Sequence, residues 1–238
     1  MKNLLKPFKT KEFIFILLYD LLFYLIFIPF SYLFAYIINS KTNAIDMSVL
    51  EQHTLQTMPL AESEIILSQM QSLVYWIVGL GIILASIAIL SWSLSRGLIY
   101  TRLLKQRFDK KYFKRFNLLN LLLLIIIIII SMIIFSLASL NPYAVFLYIP
   151  VFIIAAYFIT LTYIQFTKKT KIFKAIEKGL KAGFTKNIIP ALIILGVFIL
   201  LNLLASILPY NIIINTALLF IFITWARVYF VEAVKSRS

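Results

Sequence analysis

The chain has 238 residues, 62% of them hydrophobic and 13% charged, with a mean hydropathy of +0.98. A water-soluble domain is about 45–50% apolar and about 25% charged, so this composition excludes an ordinary soluble fold and leaves no room for a separate soluble domain. The lack of cysteine excludes disulfides, thiolate metal centres and thiol nucleophiles. The net charge of +14 sits mostly in short connections between apolar runs, which points to membrane topology and away from nucleic acid.

Residues 1–12 are basic, with Lys2, Lys6, Lys9 and Lys11, and precede an apolar run over 13–38. That run exceeds the ~7–15 residues of a signal-peptide core and no small-residue cleavage site follows, so an uncleaved first span is expected, with a secretory signal as the alternative. Further spans are expected over 73–95, 118–140, 144–166, 188–208 and 211–232. The third is the plainest: Leu121 to Leu124 and then Ile125 to Ile130 form an unbroken aliphatic run without an ionisable group. About 20 such residues match the ~30 Å hydrocarbon core of a bilayer, where the backbone must pair within its own segment and therefore coils into a helix. The expected fold class is an all-α integral membrane protein, one polytopic domain over 1–238 with six transmembrane helices.

The connections alternate in charge. Those over 96–117 and 167–187, together with the two termini, hold every basic residue except Lys41 and Arg227. By the positive-inside rule both termini are expected to be cytoplasmic, in the cell membrane. The long outer connection 39–72 is expected to form a polar cap: Ser48-x-x-Glu51 fits a capping box, Pro59 breaks the chain, and Ala61 to Gln71 extends the second span. Asn141-Pro142-Tyr143 and Pro209-Tyr210 read as tight turns.

Two inner connections read as amphipathic cytoplasmic helices. In 171–184, Lys171, Lys174, Lys178 and Lys181 take one face and Ile172, Phe173, Ile176 and Leu180 another, an arrangement suited to anionic head groups. Residues 98–116 show a looser version, with Leu104, Phe108 and Tyr112 four apart. Membrane lipids, anionic on the cytoplasmic side, are the expected partners. A membrane protein or a second copy of the chain is the further possibility, and nucleic acid is not expected.

The segment Ala138-Ser139-Leu140-Asn141-Pro142-Tyr143 returns as Ala205-Ser206-Ile207-Leu208-Pro209-Tyr210. Lys111, Lys114 and Asn120 match Lys178, Lys181 and Asn187 at the same spacing. Residues 98–166 and 167–235 therefore read as two copies of one helical hairpin, with the first two spans as a weaker third. Units with an even number of spans insert in parallel, which lowers the prior for an inverted-repeat transporter.

Polar groups inside spans are the default functional candidates. Asp20 and Arg227 lie at similar depths from the inner ends of the first and sixth spans and are expected to pair if those spans touch, with a snorkelling Arg227 beside a separately satisfied Asp20, or a proton- or substrate-coupling role, as the alternatives. Asn202 is expected to bond between helices. Asn120 and Asn187 read as interface or helix-start residues, and Gly79 and Gly81 as a site of close helix packing. His53 is the sole histidine, and no metal, nucleotide or hydrolase motif accompanies it. No cofactor and no catalysis are expected. The functional expectation is an accessory, scaffolding or lipid-organising membrane component, with a transporter or permease subunit for an apolar or lipid-like substrate as the alternative.

Overall fold

The computed structural model describes residues 11–45, 60–167, 170–183, 187–207 and 212–236. Within them the chain is helical and contains no strand. The helices are α1 (Lys11–Asn43), α2 (Leu60–Leu103), α3 (Lys110–Leu140), α4 (Tyr148–Gln165), α5 (Ile172–Gly183), α6 (Ile188–Ile207) and α7 (Ile212–Lys235), with a 3₁₀ helix over Pro142–Leu147. Among the described residues five segments are long and apolar enough to cross a membrane: Glu12–Asn43, Ser63–Leu103, Lys110–Ser139, Tyr148–Gln165 and Ile214–Lys235. A sixth arises only if α5 and α6, whose axes differ by 75°, count as one broken span.

Sequence order explains most helix ends. Pro150 and Pro190 fall in the first turns of α4 and α6, where the missing N–H has no partner to lose. Pro29 lies inside α1. At the start of α3, the Asp109 carboxylate accepts from the Tyr112 amide at 2.8 Å, an N-cap of the usual geometry. After α3, the Asn141 side chain accepts from the Tyr143 amide at 3.0 Å, and the 3₁₀ turn prolongs what reads in sequence as a tight turn. The capping box at Ser48, His53 and the Pro209-Tyr210 turn lie outside the described residues.

The connection over 96–117 differs from its reading as one amphipathic helix. Instead α2 runs on to Leu103, and a new helix starts at Lys110. The break is a Schellman motif: the Lys105 amide donates to Arg102 at 3.0 Å and the Gln106 amide to Thr101 at 2.7 Å. Lys105 holds φ 53°, the left-handed position that glycine normally occupies. A lysine there hides the break from the sequence. Lys105→Gly is accordingly expected to raise stability by about 1 kcal/mol, read from denaturation in detergent; a loss of stability would contradict this account of the turn.

The contacts divide the chain into two compact units, Leu22–Trp92 and a larger one of Met1–Leu21 with Ser93–Ser238. In the first, the Phe23 ring meets Trp92 edge-on at 5.5 Å and stacks on Phe27 at 5.5 Å, and the Lys41 ammonium lies 5.1 Å from the centre of the Trp76 ring. Gly79 and Gly81 have open space where a side chain would stand, so the close packing expected there is absent. At about 1.5 Å per residue α2 reaches roughly 66 Å, twice a hydrocarbon core, and its polar first turns therefore extend past any bilayer.

The larger unit holds the core. Tyr112, Phe116, Tyr163 and Phe166 form a ring cluster between α3 and α4, with Phe116 and Tyr163 centroids 5.0 Å apart. Around it lie Ile16, Ile99, Leu119, Val228 and Val231. The Tyr112 hydroxyl is buried and has no hydrogen-bond partner among the described residues. Removing it should therefore cost nothing: Tyr112→Phe is expected to leave stability unchanged or raise it by about 1 kcal/mol, and a loss above that would reveal an unseen partner.

Besides Gly97, which packs under the Phe108 ring, the close approaches occur at α5. A Cβ on Gly179 would stand 2.9 Å from the Thr162 backbone, and one on Gly183 would meet the Phe158 ring at 2.3 Å. The Tyr157 hydroxyl donates to the Gly183 carbonyl at 2.9 Å. The buried face of α5 is thus Ala175, Gly179 and Gly183, and of the expected apolar face Ile172 and Ile176 flank it while Phe173 and Leu180 are exposed.

Candidate functional site

Three charged side chains meet inside the larger unit. Asp20 sits about nine residues into α1, Arg96 seven from the end of α2, and Arg227 eight from the end of α7, which places all three roughly 10–13 Å from one set of helix ends. Arg227 Nη1 donates to both Asp20 oxygens, at 2.7 and 2.5 Å. Arg96 Nη1 donates to Asp20 Oδ1. The Thr224 hydroxyl approaches Oδ2 at 3.4 Å, and the Ser95 hydroxyl donates to the Tyr19 carbonyl at 2.7 Å, pinning α1 to α2 beside the cluster.

The cluster is nearly dry. Asp20 is 3% exposed, and the Arg96 and Arg227 side chains are 8% and 11% exposed. One carboxylate faces two guanidiniums, so the group carries a net positive charge. Charge-assisted bonds in such surroundings exceed neutral ones, and a carboxylate shared by two arginines has its lone pairs well occupied. The expected contact of Asp20 with Arg227 is present. Arg96 reads in sequence as the first residue of a basic connection, and the structure moves it into the helix as the second partner. The signal for it is the run Ser91, Ser93, Ser95 and Arg96, polar side chains on a helix that continues through Gly97 to Leu103.

A second, uncharged network lies alongside. The Tyr163 hydroxyl donates to Asn120 at 2.5 Å, the Asn120 amide to Ser93 at 2.8 Å, and the Ser93 hydroxyl to Asn117 at 2.8 Å. It stitches α2, α3 and α4 together, which gives Asn120 the interface role its place near a span start suggests. Asn187 donates to the Ala182 carbonyl at 3.0 Å at the entry to α6. Asn202 turns back on its own helix, donating to the Phe198 carbonyl at 2.9 Å, in place of an interhelical bond.

The cluster's nearest helix ends carry further ties. Arg102 pairs with Glu12 and lies 3.7 Å from the Phe15 ring centre, and Lys235 donates to the Leu103 carbonyl at 2.5 Å. Arg115 donates to the Thr170 carbonyl. On α5, Lys171, Lys174, Lys178 and Lys181 are all exposed. Lys181 donates to Glu177 at 2.6 Å and holds its carboxyl below the usual carboxylate range. Four exposed ammonium groups can meet anionic head groups. Among the described residues no group of His, Cys, Asp or Glu could hold a metal ion.

Among the described residues this is an all-helical fold with several long apolar helices, consistent with an α-helical membrane protein. No protein-family model, no curated protein and no solved structure matches the chain.

Proposed function

We propose that this chain is a non-catalytic, lipid-organising component of the cell membrane, with six spans and both termini on the cytoplasmic side. The observation that carries the reading is the fate of its interior polar groups. Arg96 and Arg227 both donate to Asp20, and Tyr163, Asn120, Ser93 and Asn117 bond in a chain across three helices. Neither presents a paired acid and base to a cavity, as a hydrolase or transferase would need.

Two further features support it. Residues such as Ile125, Ile129, Ile133 and Phe135 are exposed along α3, far more apolar surface than a protein in water tolerates. The end of α2 meets the start of α1 through Arg102 and Glu12 and the end of α7 through Leu103 and Lys235, gathering basic residues at one end of the larger unit. That gathering suits the positive-inside topology. In this reading 98–166 and 167–235 are parallel hairpin copies, and the lysines of α5 lie against anionic lipid.

The test is gentle extraction of the tagged chain from its native membrane, followed by native mass spectrometry. Retained lipid on the lone chain or a homo-oligomer, richer in anionic species than the bulk membrane, is the expected result. A stoichiometric protein partner with no lipid enrichment would replace this reading with that of an accessory subunit.

A further inference from the structure

Beside the charged cluster runs a groove of about 330 Å³, walled by α4, α6 and α7. That volume is at the lower end of the ~300–1,000 Å³ of small-molecule sites. Its walls are apolar: Ile153, Leu195, Phe198 and Phe222 line it, and the Phe198 and Phe222 rings sit 5.5 Å apart across α6 and α7. Three polar side chains reach it, Tyr157, Thr160 and Arg227. The two hydroxyls give their protons elsewhere, Tyr157 to the Gly183 carbonyl at 2.9 Å and Thr160 to the Ala156 carbonyl at 2.8 Å. Arg227 therefore supplies the donors. It spends Nη1 on Asp20, and a guanidinium has five N–H groups.

At this end of the groove the Asp20 carboxylate is shared between Arg96 and Arg227. A guanidinium that lines an apolar groove and shares its carboxylate favours an anion at its remaining N–H groups. The occupant must then combine an apolar chain with a small negative head. Arg227 lies roughly 12 Å along α7 from its end, deeper than a glycerophospholipid holds its phosphate, whereas a carboxylate joined directly to its chain can follow it in.

We infer that the groove between α4, α6 and α7 binds a long-chain fatty acid, its carboxylate on Arg227 and its alkyl chain along Ile153, Leu195, Phe198 and Phe222. The inference rests on the lipid-organising reading and names one ligand class for it.

The test uses the full chain in phosphatidylcholine nanodiscs, with radiolabelled oleate and, as the uncharged control of the same chain length, oleyl alcohol. Protein-free nanodiscs give the background partitioning. Oleate is expected to be retained about tenfold better than the alcohol, as one charge-assisted bidentate contact allows. Arg227→Gln should reduce oleate to the level of the alcohol. Ala156→Trp, which fills the groove from an exposed position and leaves the cluster untouched, should abolish retention of both. Equal retention of oleate and alcohol overturns the proposal, as does full retention by Ala156→Trp; both results stand even where Arg227→Gln fails to fold. If oleate is not preferred while native preparations still carry enriched phospholipid, the groove assignment alone falls. If that enrichment is also missing, the wider reading falls with it.

Discussion

Asp20→Asn is expected to be the most damaging single change in the chain, lowering stability by about 3–5 kcal/mol in detergent denaturation. The reason is arithmetic of charge. In the native cluster Asp20 accepts from both Arg96 and Arg227, and all three are nearly dry. Removing the carboxylate takes from both guanidiniums the counter-charge they share. Arg96→Gln or Arg227→Gln instead leaves one matched acid–base pair and should cost less, about 1–3 kcal/mol, from lost hydrogen bonds. Combining Asp20→Asn with Arg96→Gln should cost less than the two singles together, because both changes break the same Arg96–Asp20 contact. Strict additivity would mean the three groups do not act on one another, and Asp20→Asn no worse than either arginine change would contradict the net charge of the cluster.

The second large effect is expected at Gly179. A methyl there would press on the main chain of Thr162, with Cα and N both 2.9 Å from the new Cβ and Oγ1 at 2.5 Å. A hydroxyl can swing aside; a backbone inside α4 cannot. Gly179→Ala should therefore lift α5 away from α4, cost about 1–3 kcal/mol by overpacking, and expose Ala175 and Gly183 to labelling or exchange. Gly196→Ala is the internal control: nothing stands within 4 Å of it, so it should be neutral or slightly stabilising. Equal effects at the two glycines would contradict the packing of α5 on α4.

The two changes also mark what could be read from the sequence. The helical class followed from composition and run length alone, because a long apolar segment in lipid has one way to satisfy its backbone. The positions of Asp20 and Arg227 stood out for the same reason: a charge amid leucine and phenylalanine is visible without a structure. Arg96 did not stand out, because it opens a stretch of basic residues and the helix end beyond it is set by Lys105, whose left-handed backbone has no sequence signature. The role of Gly179 was hidden by its setting in a lysine-rich helix, where the lysines drew the reading toward head groups and the small face toward nothing. Gly79 and Gly81 misled in the opposite sense: small residues in an apolar helix permit close packing, and the neighbour must also be there. Asn202 shows the same limit, since an amide in a helix can bond to its own preceding turn as readily as to another helix.

The most direct test of the account is the sidedness of the chain. Because it has no cysteine, His53→Cys and Lys110→Cys each introduce a unique thiol, one in the long connection between α1 and α2 and one at the start of α3. In intact cells a membrane-impermeant maleimide is expected to label position 53 and to reach position 110 only after the membrane is opened. Labelling of both from the same side would contradict a second span that carries the chain across the bilayer, and with it the gathering of the basic helix ends on the cytoplasmic face.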